Sequence, residues 1–282
     1  MVVQHNMQAV NSNRMLGQNV KAVAKNTEKL SSGYKVNRAA DDAAGLSISE
    51  KMRNQIRGIN QAVSNSEDGQ YLIQTAEGNM NEIHSILQRM GELATKAAND
   101  VNATEDRTSI QNEMDQLAQE IDSISNKAQF NGTYLLNGNM DTANGGKEKF
   151  LQVGANKGEN MAIGIAKMSA SALKVQGKAK GAALSVSSHA AASTAMSTIS
   201  AAIRTVSAAR SKLGAIQNRL DYTINNLENY SENLTSAESN IRDTDMATEM
   251  VSYSKNNILQ QAAQSMLAQA NQSNQGVLSL LQ

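Results

Sequence analysis

Asp41 and Asp42 stand side by side, and a carboxylate pair can supply general acid–base chemistry. Adjacent residues on a helix diverge by about 100°, and no base or nucleophile is spaced to serve these two. They read as structural residues near a helix start. His5, His84 and His189 are scattered, without the HExxH or other spacing that gathers a metal ion. The stretch GANKG lacks the Lys-Ser/Thr ending of a phosphate-binding loop and reads as a turn. Asn-x-Thr triplets at Asn102, Asn131 and Asn233 are coincidental in a chain so rich in Asn and Ser. Among 14 methionines, Met80, Met90 and Met114 fall at core spacing and fill gaps in an Ala-rich interior. These residues imply no catalytic site, metal or cofactor.

Composition points instead to helices. Of 282 residues 40% are hydrophobic, yet there are only 6 Tyr, 2 Phe and no Trp, so the apolar side chains are mostly Ala, Leu, Ile, Val and Met. Ala, Leu and Met lose little rotamer freedom in a helix. Proline, the residue that breaks helices, is absent. Lys+Arg and Asp+Glu both number 26, so no net field draws nucleic acid or a membrane surface, and like copies do not repel. With no Cys, disulfides, thiol catalysis and Cys-ligated zinc are excluded. No stretch approaches the ~20 apolar residues of a membrane span. MVVQHNMQAVNSNRM has no basic leader followed by an apolar run, so if the protein is exported, the expected route removes no leader.

Periodicity supplies the elements. Ile59, Ala62, Ser66, Gly69, Ile73, Ala76, Met80, Ile83, Leu87, Met90, Ala94 and Ala97 follow steps of three and four, a coiled-coil seam. NDVNATEDR interrupts it, with Thr104 as N-cap and Glu105 and Asp106 at the positive end of the next helix. That helix carries Ile110, Met114, Leu117, Ile121 and Ile124, and the short loop makes the two antiparallel. A third seam runs from Ile199 through Val206, Leu213, Leu220 and Leu227 to Ile241, a length that suits a rod. Between the helical halves, NGTYLLNG, KFLQVG and MAIGI have β character, with ANKGEN as a turn, and form a small β-element. Residues 168–190 are rich in Ala, Ser and Lys and read as an irregular connection or small insertion.

The two ends are unusual. Residues 1–27 hold no acidic side chain, and Leu16, Val20, Val23 and Leu30 mark a thin apolar stripe. After Lys255 no charged side chain follows, while Leu259, Ala263, Met266, Ala270, Val277 and Leu280 form a seam amid Gln, Asn and Ser. An exposed helix normally carries charge, and a membrane helix would not tolerate so many amides. Such helices are expected to be buried against protein. Two thin stripes bury little on their own, so the ends should order when neighbours supply contacts.

LSSGYKVNRAADDAAGLSISEKMRNQIRGINQA (30–62), NEIHSILQRMGELATKAAND, QFNGTYLLNG and LQVGANKGE resemble the N-terminal half of bacterial flagellin. LGAIQNRLDYTINNLENYSENLTSAESNIRDTDMATEM and LAQANQSNQGVLSLLQ resemble its C-terminal end. The likeness spans about residues 1–165 and 195–282. It implies a mainly α fold: a long-helix coiled-coil rod with a small β-hairpin element and paired N- and C-terminal helices. The implied domains are 1–42 with 243–282 as a coiled-coil inner domain and 43–168 with 192–242 as the rod. Residues 169–191 are a short variable connection where longer relatives carry outer domains. Many relatives place Pro in the segment written here as ANQSNQGV, and its absence fits a helix that continues further.

The resemblance further implies an extracellular subunit that self-assembles into the flagellar filament for swimming. Its implied partners are other subunits, the flagellar cap and hook-associated proteins, an export chaperone and the host Toll-like receptor for flagellin, with no nucleic acid or membrane. Leu16, Val20, Val23, Leu259, Met266, Val277, Leu278, Leu280 and Leu281 are the expected self-assembly residues, the alternative being burial within the monomer. By resemblance, Arg89, Leu93 and Glu113 form the receptor face, Arg89 and Leu93 lying one turn apart and off the core seam. Competing functions are a hook–filament junction protein, a coiled-coil adhesin or secretion-tip protein, and an enzyme in the variable region. For the last, the region is too short and lacks HExxH.

Overall fold

The computed structural model describes residues 6–141, 145–176 and 184–279, the last six of these by backbone alone. It contains five helices, α1 (Met7–Ser32), α2 (Ala43–Ala97), α3 (Thr104–Lys127), α4 (His189–Arg242) and α5 (Met246–Ser279). Four short strands lie between the helical halves: β1 (Gln129–Phe130), β2 (Thr133–Tyr134), β3 (Lys149–Gln152) and β4 (Asn160–Ile163). The chain divides into two compact units, Met1–Ile56 with Glu232–Gln282 and Arg57–Ser231. This division falls inside α2 and α4, whereas the residue 42/43 and 242/243 boundaries coincide with helix ends.

The unit Arg57–Ser231 holds the hydrophobic core. Every residue of the α2 seam from Ile59 to Ala97 is buried, Ser66 and Gly69 included. Ser66 turns its hydroxyl back to donate to Ala62 O at 2.7 Å, which satisfies it without a partner helix. From α3, Ile110, Met114 and Ile121 join the core, while Leu117 and Ile124 are half-buried and Ala118 and Ser125 take the innermost places beside them. From α4, Ile199, Ala202, Val206, Leu213, Leu220 and Leu227 are buried at the predicted spacing. Met80, Met90 and Met114 are at most 1% exposed, as gap-fillers in this core.

Polar bridges along the flanks set the directions. Arg89 of α2 reaches Glu113 of α3 at 3.0 Å, so the two run antiparallel about the connection 98–103. His189 Nδ1 meets Ala98 O at 2.6 Å, Arg210 pairs with Glu77 at 3.5 Å, Gln70 with Asp221, and Ser231 with Asn60 at 3.0 Å. The partners rise along α2 as they fall along α4, so these helices are antiparallel too. At the start of α3, Thr104 is the first helical residue and Ala103 the cap. Ala103 has no side-chain oxygen, and only Asp106 contributes, accepting from Ala103 N at 3.2 Å. The helix begins one residue earlier than a Thr104 cap would place it.

The β-element is two separate antiparallel pairs rather than one. β1 and β2 close around Asn131 (φ 46°) and Gly132 (φ 73°), both left-handed, as a two-residue hairpin of this twist requires. β3 and β4 pair from Lys149↔Ile163 to Gln152↔Asn160. Their connection is the predicted turn. Gln152 Nε2 donates to Gly154 O and Asn156 O, and the Glu159 carboxylate accepts from Asn156 N at 2.8 Å and its Nδ2 at 3.0 Å. Those bonds hold the Glu159 carboxyl below its usual pKa. The hairpin lies directly on α2: a Cβ at Gly58 would meet Ala155 Cβ at 2.8 Å.

The described part of 168–190 is no solvent-exposed link. Met168, Ala170, Leu173, Val175, Leu184 and Val186 are all buried. Asp122 accepts from Ala170 N at 2.9 Å, and Gln111 both donates to Leu184 O and accepts from Val186 N, at 2.9 Å each. Its backbone is satisfied partly within the segment, Leu173 N donating to Ser169 O and Val175 N to Ala170 O, and partly by these α3 side chains, which its polar composition did not announce.

In the other unit, α2 starts at Asp42, whose carboxylate accepts from Gly45 N at 2.9 Å as an N-cap. Asp41 serves differently. It accepts from Lys25 Nζ at 2.8 Å, Arg38 N at 3.1 Å and Asn37 N at 3.4 Å, tying α1 to the turn before α2. The Lys25 ammonium first, then the Arg38 amide, lower its pKa from 3.8 to about 2.

Two outcomes follow. Because Asp41 binds its proton less readily folded than unfolded, its contribution is complete above about pH 4 and lost as pH falls toward about 2. Acid titration followed by circular dichroism is expected to show Asp41→Asn less stable at neutral pH, with a shallower loss over that window. Gly58→Ala should lower the thermal midpoint even though Ala is the better helix former by about 1 kcal/mol, because the new methyl group pushes the hairpin off α2.

Candidate functional site

The candidate surface is the antiparallel pair α1 and α5. Asn6 caps α1, its Oδ1 accepting from Ala9 N at 3.0 Å, while its Nδ2 donates to Ala270 O at 3.0 Å. At the other end of α1, Lys29 pairs with Glu249 at 3.6 Å. Early residues of α1 therefore face late residues of α5, and the reverse.

The base of the pair is fastened by polar contacts. Gly33, left-handed at φ 76°, ends α1 by donating to Lys29 O. Thr244 N then donates to Gly33 O at 2.9 Å and Lys35 N to Arg242 O at 2.7 Å, around the Tyr34↔Asp243 bridge. The Arg242 guanidinium lies 4.7 Å from the Tyr34 ring centre and reaches Glu50 at 2.9 Å. Asp245 opens α5 by accepting from Ala247 N and from Thr248 N and Oγ1, the Thr248 hydroxyl leading the bonds that depress its pKa.

Above this base the pair has almost no core. Among the described residues, the buried side chain of α1 is Asn26, at 8% exposure, and that of α5 is Ala270, at 6%. Assigned the orientation its neighbours require, with nitrogen and oxygen exchanged, the Asn26 amide donates to Ala22 O at 2.8 Å and accepts from Tyr253 N at 3.0 Å and Asn256 Nδ2 at 3.3 Å. A buried amide of this kind fixes register at the expense of stability.

The apolar side chains are left outside. Met7, Val10, Met15 and Val20 on α1, and Met246, Met250, Val251, Ile258, Leu259 and Met266 on α5, are between 42% and 72% exposed. They are not confined to one face: at ~100° per residue, Met250 and Met266 lie about 160° apart around α5. No charged side chain follows Lys255 to dilute them. One partner helix covers one stripe, so this distribution calls for neighbours on several sides.

Of the residues expected to drive assembly, Val20, Leu259 and Met266 are exposed on this pair, and Leu16 and Val23 are half-buried. Val277 and Leu278 lie on α5, with side chains outside the described set; Leu280 and Leu281 lie outside the described residues. Met7, Val10, Met15, Met246, Met250, Val251 and Ile258 were missed, because a single heptad register follows one stripe. Their signal was apolar residues off that register in a stretch poor in charge. The ends also differ from the expectation of order gained only against neighbours: α1 and most of α5 are helical and paired within one chain.

A second surface lies in the other unit. Arg89 is 53% exposed at its side chain and bridges Glu92 and Glu113, each at 3.0 Å, with Nε also on Glu113 at 3.2 Å. Both carboxylates, Glu92 first, hold its guanidinium more firmly protonated than usual. Leu93 corrects the expectation of a residue off the seam: it is 3% exposed and belongs to the core. Near its end α2 meets α3 through Arg89 and α4 through Gly91 beside Ile199 and Ala98 beside His189. Two neighbours widen the buried stripe until it includes Leu93.

Comparison with known proteins agrees with this architecture. Residues 3–141 match the bacterial flagellin N-terminal helical region, and residues 196–281 the bacterial flagellin C-terminal helical region. The chain is 50% identical to a flagellin of Halalkalibacterium halodurans over 281 residues, covering 100% of both chains. It is also 50% identical to a flagellin of Bacillus subtilis over 306 residues, again covering 100% of both. The crystal structure of Bacillus cereus flagellin, 30% identical, covers 58% of this chain and 88% of its own, with a TM-score of 0.47. With both helical regions matched and identity sustained from end to end, the chain belongs to the bacterial flagellin family, the non-enzymatic structural subunits of the extracellular flagellar filament.

Proposed function

We propose that this filament subunit polymerises by burying the exposed apolar residues of α1 and α5 against the same helices of neighbouring copies. The supporting observation is ten large apolar side chains, on several faces of a pair that buries little but an amide and an alanine. Burying each contributes roughly 1.5–3 kcal/mol, repeated at every subunit of a polymer. Residues 1–42 and 243–282 form the inner, assembly-forming part. Residues 43–168 and 192–242 form the rod domain, with 169–191 as a short connection.

The same surface suits partners other than a second subunit. An export chaperone before secretion, and the cap and hook-associated proteins at the filament ends, are the partners suited to it. Filament subunit is favoured over hook–filament junction protein because the full-length relatives at 50% identity are flagellins.

The surface around Arg89 and Glu113 is the proposed contact for the host Toll-like receptor. Arg89 presents a charge-assisted pair at the surface, while Leu93 acts from beneath by fixing α2 against its neighbours.

Deletion of residues 255–282 should leave a soluble, helical monomer that forms no filaments by electron microscopy after salt-induced assembly. Normal filaments from that truncation would reject the assembly reading. Arg89→Asp should reduce receptor signalling more than about tenfold, the scale of a lost charge-assisted hydrogen bond, with circular dichroism unchanged. Unaltered signalling would count against the receptor face.

A further inference from the structure

Of the fourteen methionines of the chain, eleven fall into two groups; Met52 is half-buried, Met196 lies on α4, and Met1 is outside the described residues. The six within the core, from Met80 to Met168, are at most 4% exposed. Met7, Met15, Met246, Met250 and Met266 are between 45% and 72% exposed, and all five lie on α1 and α5. The chain has no cysteine, so its thioethers are the sulfur groups that meet an oxidant first.

We propose that these five methionines form an oxidation-sensitive modification site that takes a free subunit out of polymerisation. The inference rests on the assembly surface proposed above. The reactant is a two-electron oxidant of the peroxide class. The thioether sulfur attacks one peroxide oxygen, the O–O bond breaks, a sulfur–oxygen bond forms and water leaves. Sulfur is thereby oxidised by two electrons and the peroxide reduced. The product, methionine sulfoxide, is polar and a strong hydrogen-bond acceptor, unlike the flexible apolar chain it replaces. On α1 and α5 it would put a group needing water where a neighbouring subunit needs a dry surface.

The site discriminates between free and assembled subunits. In the free chain the five sulfur atoms are open to solvent. Within a polymer that buries α1 and α5 they are covered, so a finished filament withstands oxidant that stops new subunits from joining. The reaction is reversible by methionine sulfoxide reductase, and a damaged subunit can regain competence. Met196, 37% exposed on α4 in the other unit, is an internal reference whose oxidation leaves assembly unaffected.

The test treats full-length monomer with hydrogen peroxide, maps sulfoxides by peptide mass spectrometry and measures the critical concentration for salt-induced assembly. Met7, Met15, Met246, Met250 and Met266 are expected to oxidise ahead of the core methionines, and the critical concentration to rise about tenfold or more. Reductase treatment should restore it. Peroxide applied to preformed filaments should leave the five largely unmodified. The variant M7L/M15L/M246L/M250L/M266L should assemble equally before and after peroxide. Should that variant not fold, reductase rescue of the wild-type protein carries the same information. Assembly of the oxidised monomer at the untreated concentration would overturn this inference alone, as would loss of assembly in the peroxide-treated five-site variant. Failure of untreated protein to polymerise would overturn the assembly surface with it.

Discussion

A helix pair in water must hide its apolar side chains from solvent, and α1 with α5 does so only in part. The inner positions of the pair hold Asn26 and Ala270, and larger apolar groups stand outside. In the other unit the order is reversed: Ile, Leu and Met fill the interior, and charged pairs such as Arg89–Glu113 and Arg210–Glu77 lie on the flanks. One chain thus combines a unit with a completed interior and a unit whose large apolar side chains stand mostly uncovered. The division of labour follows from composition, since the charge that would keep α5 soluble alone is withheld after Lys255.

The fastening at the base of the pair makes that incompleteness tolerable. Gly33, Tyr34, Arg242 and Thr244 interlock the ends of α1 and α4 with the start of α5 through backbone hydrogen bonds and a stacked guanidinium. Asp41 and Lys25 add a charged tie. These contacts hold by direction rather than by buried area, so the helices keep their register without a large core of their own. An ordered but uncovered apolar surface is better prepared for association than a disordered one, because less conformational entropy remains to be lost on binding.

Much of this was legible in the sequence. The α2 seam is buried from Ile59 to Ala97, because a single period governs a helix packed along one stripe. On α4, Ile199, Ala202, Val206, Leu213, Leu220 and Leu227 are buried, Ala209, Ile216 and Thr223 between them are half-buried, and Tyr230 further along the predicted seam is exposed. ANKGEN is a turn because its Gly and Asn residues carry their own local signal. Leu93 was not legible, since its burial depends on α3 and α4 converging on α2 from two sides. The segment around Ala170 and Val186 was hidden likewise, because Asp122 and Gln111 on α3 hold it. Met246 and Met250 of α5, unlike Met266 on the predicted seam, escaped for the opposite reason: no stripe organises them, and only the surface they leave bare identifies them.

The amide of Asn26 has a mechanical consequence. It is held between Ala22 O on its own helix and Tyr253 and Asn256 on the other. Sliding α5 by one turn would carry Tyr253 and Asn256 away and break the bonds that fit this amide to its present register. The two helices therefore respond to tension as a single strut, which passes load along its axis instead of yielding by creep. A fibre built of such struts would take up changes of curvature between copies rather than within a pair.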